Sequence, residues 1–397
     1  EISDIKSSLG GSVMEGSLAI DLARKRPSII AVLTSEKMDL RPLLVGGKKA
    51  KGAGKKGAGQ GGKNEKVFPS DPLPIDALNQ FDVSVKADAK KLLLPMFAIE
   101  DLTMDINLVK GKLSIRPLKA RMGEGTLDGQ FLFNTGMKLP TATILLKGKQ
   151  LDLGRMMKDL QQGEILEGKL DLDIDLNGKG RTVAAVMAAL NGKTSLVMGD
   201  GKIDNAYIET FGADISSSIL RLLNPSKVQI EDTKINCFVS LFDIKDGMAT
   251  TSALVMDTEL MVVAGDGKIN LKTEEIDLSL NPSPKKGVGG VSLSFAELAK
   301  PFKLDGTLAN PTLGIDPTGA TLAVGKAVGG VVLFGPFGLV AALAGKSSEN
   351  ENPCLAAIEA AKKKREPQKK KAPEKEKGII DKTTDTIGDT FKKWFGR

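Results

Sequence analysis

Along much of this chain apolar residues fall on every second position. Phe81, Val83, Val85 and Ala87 alternate with Asp82, Ser84 and Lys86, and Leu102, Met104, Ile106 and Leu108 form a second such run. In "GKLDLDIDLNG", residues 168–178, Leu170, Leu172, Ile174 and Leu176 take one parity while Asp171, Asp173 and Asp175 take the other. Ile276, Leu278 and Leu280 alternate with Asp277 and Ser279. A period of two is that of a strand with one apolar face. Glycine-containing turns punctuate the runs at Lys110-Gly111, Gly123-Glu124-Gly125, Asp200-Gly201, Asp246-Gly247 and Asp266-Gly267. Asp-Gly is a strong hairpin signal because both positions tolerate positive φ. The pattern predicts a mainly β protein, a long antiparallel meander.

One repeat is visible. "GSLAIDLARKRPSIIAVLTSEKMDLRPLL" from Gly16 and "GTLDGQFLFNTGMKLPTATILLKGKQLDLGRMM" from Gly125 share a Gly-Ser/Thr-Leu start, a strand, a Pro, a second strand and a hydrophobic-Asp-Leu trio. A short apolar run follows each trio (Leu43-Leu44; Met156-Met157), so the repeating β unit is punctuated by short helices. Two more helices are predicted, one over 182–190 ending at Asn191-Gly192, the other over 205–223, where Ile208, Phe211, Ile215 and Ile219 have helical spacing. Residues 327–344 carry no charge over eighteen positions but contain four glycines and a proline, which favours short packed helices over a spanning one.

Composition narrows the chemistry. The 397 residues include no His, so neither a Ser-His-Asp or Cys-His nucleophile nor an imidazole metal site can be built. The net charge of +7 is carried by two segments. Residues 46–66 and 362–377 each contribute +6, leaving a mildly acidic body of about −5. With no basic stripe interleaved with aromatics, no nucleic-acid partner is expected. The chain opens on Glu1 without a leader and reads as a piece of a longer protein. Its two cysteines, Cys237 and Cys354, fit either two buried thiols or one disulfide.

Three apparent motifs dissolve on inspection. Asp173, Asp175, Asn177 and Gly178 match the first positions of a calcium loop, but the ninth and twelfth are Arg181 and Ala184, where a bidentate Glu is needed. The aspartates read as the solvent face of a strand ending in an Asn-Gly turn. "GAGKKG" and "GAGQGGKN" within 52–64 imitate phosphate loops, yet neither follows a strand nor opens a helix. Paired carboxylates (Asp101 and Asp105; Glu274, Glu275 and Asp277) are too frequent to single out an acid and a base. No cofactor and no enzymatic activity are expected.

So much amphipathic sheet needs something against its apolar face. Either the sheet closes on a packed core, or it stays open and holds a foreign apolar ligand. Aromatics are only 4% of the chain, so the face is built mainly of Leu, Ile, Val and Met, suited to acyl chains. A sixteen-carbon chain exposed to water costs on the order of 12 kcal/mol, most of which such a groove would remove.

Several stretches resemble the C-terminal region of AsmA-family proteins: "DPLPIDALNQFDVSVKADAKKL", "IEDLTMDINLVKGKLSIRPLKARMGEGTLDGQF", "LDLDIDLNGKGRTVAAVMAALNGKTSLVMGDGKIDN", "INCFVSLFDIKDGMA" and "NPCLAAI". The resemblance covers roughly residues 1–361 and departs at 46–66, after 361 and in the absent N-terminal membrane helix. It implies a long curved antiparallel β-sheet groove, taco-like and repeating, with short helices and C-terminal helices. It also implies a periplasmic protein, anchored in the inner membrane of a Gram-negative bacterium, that serves phospholipid transport and outer-membrane biogenesis. No catalytic residue is carried over. A periplasmic setting in turn implies a Cys237–Cys354 disulfide pinning the C-terminal helices to the end of the groove.

The organisation expected is therefore the end of a preceding groove repeat over 1–45, a basic linker over 46–66, and the groove over 67–317. Apolar helices over 318–361, a basic linker over 362–378 and an amphipathic helix over 379–397 follow. Met104, Ile106, Leu108, Leu170, Leu172, Ile174, Leu176, Ile276, Leu278 and Leu280 are expected to line the groove. Ile380, Ile387, Phe391, Trp394 and Phe395 are expected to touch a membrane or a partner. The expected partners are phospholipid, the inner membrane and the outer membrane or its assembly machinery. The alternative is a structural assembly factor for outer-membrane proteins with a sealed core.

Overall fold

The computed structural model describes residues 2–9, 12–41, 66–94, 98–159, 165–204, 232–259, 261–285, 302–315 and 352–365. Sixteen strands form one curved sheet in strict chain order, and the first and last do not meet. They are β1 (Ile2–Leu9), β2 (Ser12–Asp21), β3 (Ser28–Asp39), β4 (Asp82–Leu93), β5 (Ala98–Val109), β6 (Lys112–Met122), β7 (Gly125–Asn134) and β8 (Thr141–Asp152). There follow β9 (Leu166–Lys179), β10 (Asn191–Asp204), β11 (Asp232–Lys245), β12 (Met248–Thr258), β13 (Met261–Asn270), β14 (Glu275–Pro284), β15 (Phe302–Gly306) and β16 (Pro311–Ile315). Among the described residues four helices accompany them: α1 (Ile75–Leu78), α2 (Leu153–Asp159), α3 (Val183–Ala188) and α4 (Pro353–Arg365).

The meander is antiparallel except at one joint, where β3 and β4 pair in parallel, Ser28 beside Asp82 and Asp39 beside Leu93. The sheet thus runs unbroken across the basic linker. A parallel pair requires the chain to return to the end where β3 began. Residues 66–81 complete that return as a strap along one rim of the sheet. The carboxylate of Glu274, in the β13–β14 turn, accepts the backbone N–H groups of Val67 (2.6 Å) and Phe68 (3.2 Å). Leu73 N–H donates to the Arg181 carbonyl (2.8 Å), and Thr135 Oγ1 lies 2.9 Å from Asn79 Oδ1. The strap therefore passes the turns from β14 to β4. The sheet is curved, and the strap lies against the turns along this rim.

Backbone without side chains permits the bending. Gly192 and Gly267 have φ of 134° and 142°, and a Cβ on either would sit about 2 Å from the carbonyl oxygen of Asp175 or Asp277 on the neighbouring strand. Such close approach marks kinks that curve a sheet.

Several expectations shift. Lys110-Gly111, Gly123-Glu124 and Asp246-Gly247 are turns, but Asp200-Gly201 and Asp266-Gly267 lie inside β10 and β13, the former at a bulge. Local Asp-Gly chemistry is overridden there by pairing on both sides. Asn177-Gly178 lies inside β9 rather than in a turn, and Asn191-Gly192 opens β10 rather than capping a helix. The predicted helix over 182–190 is α3, capped by Thr182, whose hydroxyl accepts from Ala185 N–H (3.0 Å). The helix predicted over 205–223, the uncharged run 327–344 and the amphipathic segment with Ile380, Ile387, Phe391, Trp394 and Phe395 lie outside the described residues.

Candidate functional site: an open aliphatic face

Directly paired residues share a face of a sheet, so the register itself traces the site. Starting from Leu18 of β2, successive partners are Ala31, Val85, Ile106, Ile115, Phe131, Ile144, Leu176, Gly192, Ile244, Ala249, Ile269 and Ile276. The row crosses thirteen strands without a polar side chain. A neighbouring row runs from Met104 through Leu118, Gly129, Leu146 and Ile174 to Thr194 and Phe242. Leu172 pairs with Leu196, and Leu170 with Met198 and Leu151. Leu278 faces Leu304, and Leu280 faces Phe302.

All ten residues expected to line a groove therefore fall on one continuous face, although they come from β5, β9 and β14. Their burial is uneven. Leu108 (3% exposed), Leu278 (5%) and Ile276 (9%) are buried, whereas Met104, Ile106, Leu280 and the four on β9 are only half-buried. Ile144, in the middle of the first row, keeps 40% of its surface. A sealed core would not leave a central isoleucine so exposed.

The strap rim is closed. Phe68, Met187, Leu190, Leu271 and Leu308 pack against Leu176, Phe242, Ile244 and Ile269. Glu274, 2% exposed, holds the strap in place through the two N–H groups already named.

Reading the alternating runs alone missed part of the lining, notably Ile115, Phe131, Ile144 and Leu146. In β6 the alternation is interrupted by a bulge between Ile115 and Leu118 at the cis Arg116-Pro117 bond. The face is also less purely aliphatic than composition suggests. The five phenylalanines on described strands, Phe131, Phe133, Phe238, Phe242 and Phe302, are all on it by register.

The outer face is polar over β8 and β9. Lys147 lies 3.7 Å from Asp173, and Asp171 accepts from Gln150 N–H (2.8 Å). Partial burial holds the Asp173 carboxyl above the usual carboxylate range; Lys147 opposes the shift and Asp175 adds to it. These aspartates sit on extended strand, and among the described residues no cluster of His, Cys, Asp or Glu could hold a metal ion.

Farther along, the outer face turns apolar. Val197, Val239, Val255 and Ala264 pair in succession, opposite the groove row, and with Leu241 and Ala253 they are covered by Cys354, Ala357, Ile358 and Ala361 of α4. The Cys237–Cys354 disulfide fastens the helix there. The expected disulfide is present, but it pins α4 to the back of the sheet, not to the end of the groove. The reason is legible in β11–β13, whose runs "CFVSLF", "SALVM" and "MVVAG" are apolar on both parities and need cover on both faces. The helix continues to Arg365, so the basic stretch from 362 begins as helix rather than linker.

The family profile described as AsmA family matches residues 5–254 of the sequence. The chain belongs to the AsmA family. It is 25% identical over 369 residues to AsmA family protein YhjG of Escherichia coli (strain K12), a match covering 89% of this chain and 52% of that protein. The chain thus spans about half the length of this AsmA-family relative. No solved structure matches it. Among the described residues no helix is long and apolar enough to cross a membrane.

Proposed function

We propose that this AsmA-family chain carries phospholipid acyl chains along its aliphatic face, as part of a transfer path between the inner and outer membranes. Headgroups stay in water at the rim opposite the strap. The observation that carries this reading is the unbroken apolar row across thirteen strands with Ile144 still 40% exposed. Membership of the AsmA family supports a role at the cell envelope. The Cys237–Cys354 disulfide supports an oxidising compartment, here the periplasm. We further propose that the longer protein is anchored in the inner membrane and that residues 379–397 contact a membrane or partner. The role is binding and transfer, without catalysis.

The test is mass spectrometry of lipids extracted after gentle purification, with Ile174→Glu and Leu278→Glu beside the wild type. Stoichiometric phospholipid in the wild type and its loss in folded variants is the expected result. A folded wild type without lipid would instead favour a structural assembly factor.

A further inference from the structure

The two rims of the sheet differ in the apolar side chains they expose. Ten large ones are exposed among the described residues. Six of them, Ile20, Leu22, Val67, Val109, Met137 and Leu139, lie on the strap or at the strand ends and turns beside it, whereas Val13 alone lies at the opposite rim. Leu22 (75% exposed), Val109 (51%) and Met137 (59%) belong to the β2–β3, β5–β6 and β7–β8 turns or their immediate flanks. A single exposed apolar residue needs no explanation, but a concentration along one rim does.

Hydrogen bonds join these three turns into one surface. Asp82 Oδ1 accepts both Arg26 Nε–H (3.2 Å) and the backbone N–H of Lys110 (2.9 Å), which ties the β2–β3 turn to the β5–β6 turn. The Gly111 carbonyl accepts Thr135 N–H (3.0 Å), which ties the β5–β6 turn to the β7–β8 turn. Cations stand among the apolar tips. Residues 21–27, 76–82, 109–112 and 135–140 hold six cations and three carboxylates. Asp21 and Asp82 are paired with Arg24 and Arg26, and Asp76 is the third. Lys25, Lys110, Lys112 and Lys138 are exposed and, among the described residues, form no ion pair.

Protein interfaces are depleted in lysine and centre on side chains that fill a partner's pocket. Here the apolar groups stand on separate turns, and Val109, Met137 and Leu139 each have a lysine as sequence neighbour. A fluid bilayer needs no matching shape. Each apolar tip enters the headgroup layer by itself, while the cations meet lipid phosphates. We propose that the strap rim from the β2–β3 turn to the β7–β8 turn docks on the surface of an anionic phospholipid bilayer. Leu22, Val109, Met137 and Leu139 enter the headgroup layer, the four free lysines draw them to it, and the opposite rim is left in water. This inference does not depend on the groove carrying lipid.

Residues 46–66 and 362–377 are also basic, so vesicle binding alone would not locate the contact, and the experiment uses a local probe. Cys237 and Cys354 are joined in a disulfide, so Met137→Cys gives the chain one thiol for an environment-sensitive dye. Glu124→Cys, in the β6–β7 turn at the opposite rim, is the control. Each labelled chain, its fold checked by circular dichroism, is titrated with vesicles of equimolar phosphatidylcholine and phosphatidylglycerol, and with phosphatidylcholine alone. The dye at position 137 is expected to shift to the blue with the anionic vesicles only, and the dye at position 124 with neither. Adding Lys110→Gln and Lys138→Gln should raise the lipid concentration at half-maximal shift by about fivefold for each charge removed. An unmoved midpoint, or an equal shift with phosphatidylcholine alone, overturns the role of the lysines and with it the proposal. No shift at position 137, whether or not the chain sediments with vesicles, overturns the bilayer as occupant and leaves an acidic protein or a second copy of the chain. Equal shifts at positions 137 and 124 overturn the assignment to the strap rim. Whether lipid also copurifies in the groove is read separately and does not bear on these outcomes.

Discussion

Two apolar residues on neighbouring parts of the sheet should respond very differently to truncation. Leu241 of β11 is 1% exposed on the outer face, beneath α4. Ile144 of β8 lies on the inner face and is 40% exposed. Leu241→Ala removes fully buried methyl groups and leaves a cavity that helix and sheet cannot close, because the disulfide holds them together. That costs about 3 to 4 kcal/mol, the middle of the range for buried leucines. Ile144→Ala removes atoms already in partial contact with water and opens no enclosed void. Only the transfer contribution of the covered fraction is lost, about 1 kcal/mol. Urea unfolding followed by circular dichroism separates the two, provided the slope of the transition is unchanged. The Leu241→Ala midpoint should fall at least twice as far. Equal losses at the two sites would mean that Ile144 lies in a sealed core, and the reasoning that makes the inner face a ligand surface would fail.

Further outcomes follow from other contacts. Reducing Cys237–Cys354, which closes a separation of 117 residues, should destabilise the chain by about 4 to 5 kcal/mol in the chain-entropy model and uncover the apolar patch at Val239 and Val255, read as increased binding of an apolar dye. Glu274→Ala removes the acceptor of two strap N–H groups, at about 2 to 3 kcal/mol, and should make residues 66–81 the first site of limited proteolysis; an unchanged digestion pattern would deny the strap its role. The Asp173 carboxyl is raised by burial, so the native state binds its proton more tightly than the unfolded state does. Stability from this group therefore falls as pH rises from its ordinary value of 3.8 through the raised one. Asp173→Asn should raise the urea midpoint at about pH 7 and leave it unchanged at about pH 3, where both states are protonated.

The sequence was most informative where a strand has one wet face. The alternation of β5, β9 and β14 announced both strand and parity, and the register then placed all those residues on a common face. It was least informative where other constraints act. In β6 a bulge shifts the parity at Arg116-Pro117. In β11–β13 both faces are covered, and an apolar run on both parities tells that cover exists without telling what supplies it. The return of the chain from β3 to β4 is set by a parallel pairing that no local pattern encodes. The role of Glu274 as its anchor was equally hidden, since it stands among other carboxylates in "TEEIDL" and only its burial distinguishes it.

The most direct test of the account uses adjacent residues on opposite faces. A photoreactive side chain placed in turn at Ile174, at Ile144 and at Asp173 would be irradiated in the lipid-loaded protein and analysed for adducts by mass spectrometry. The account predicts phospholipid adducts at Ile174 and Ile144 and none at Asp173. Adducts at all three positions, or at none while lipid copurifies, would contradict the assignment of the inner face as the lipid path.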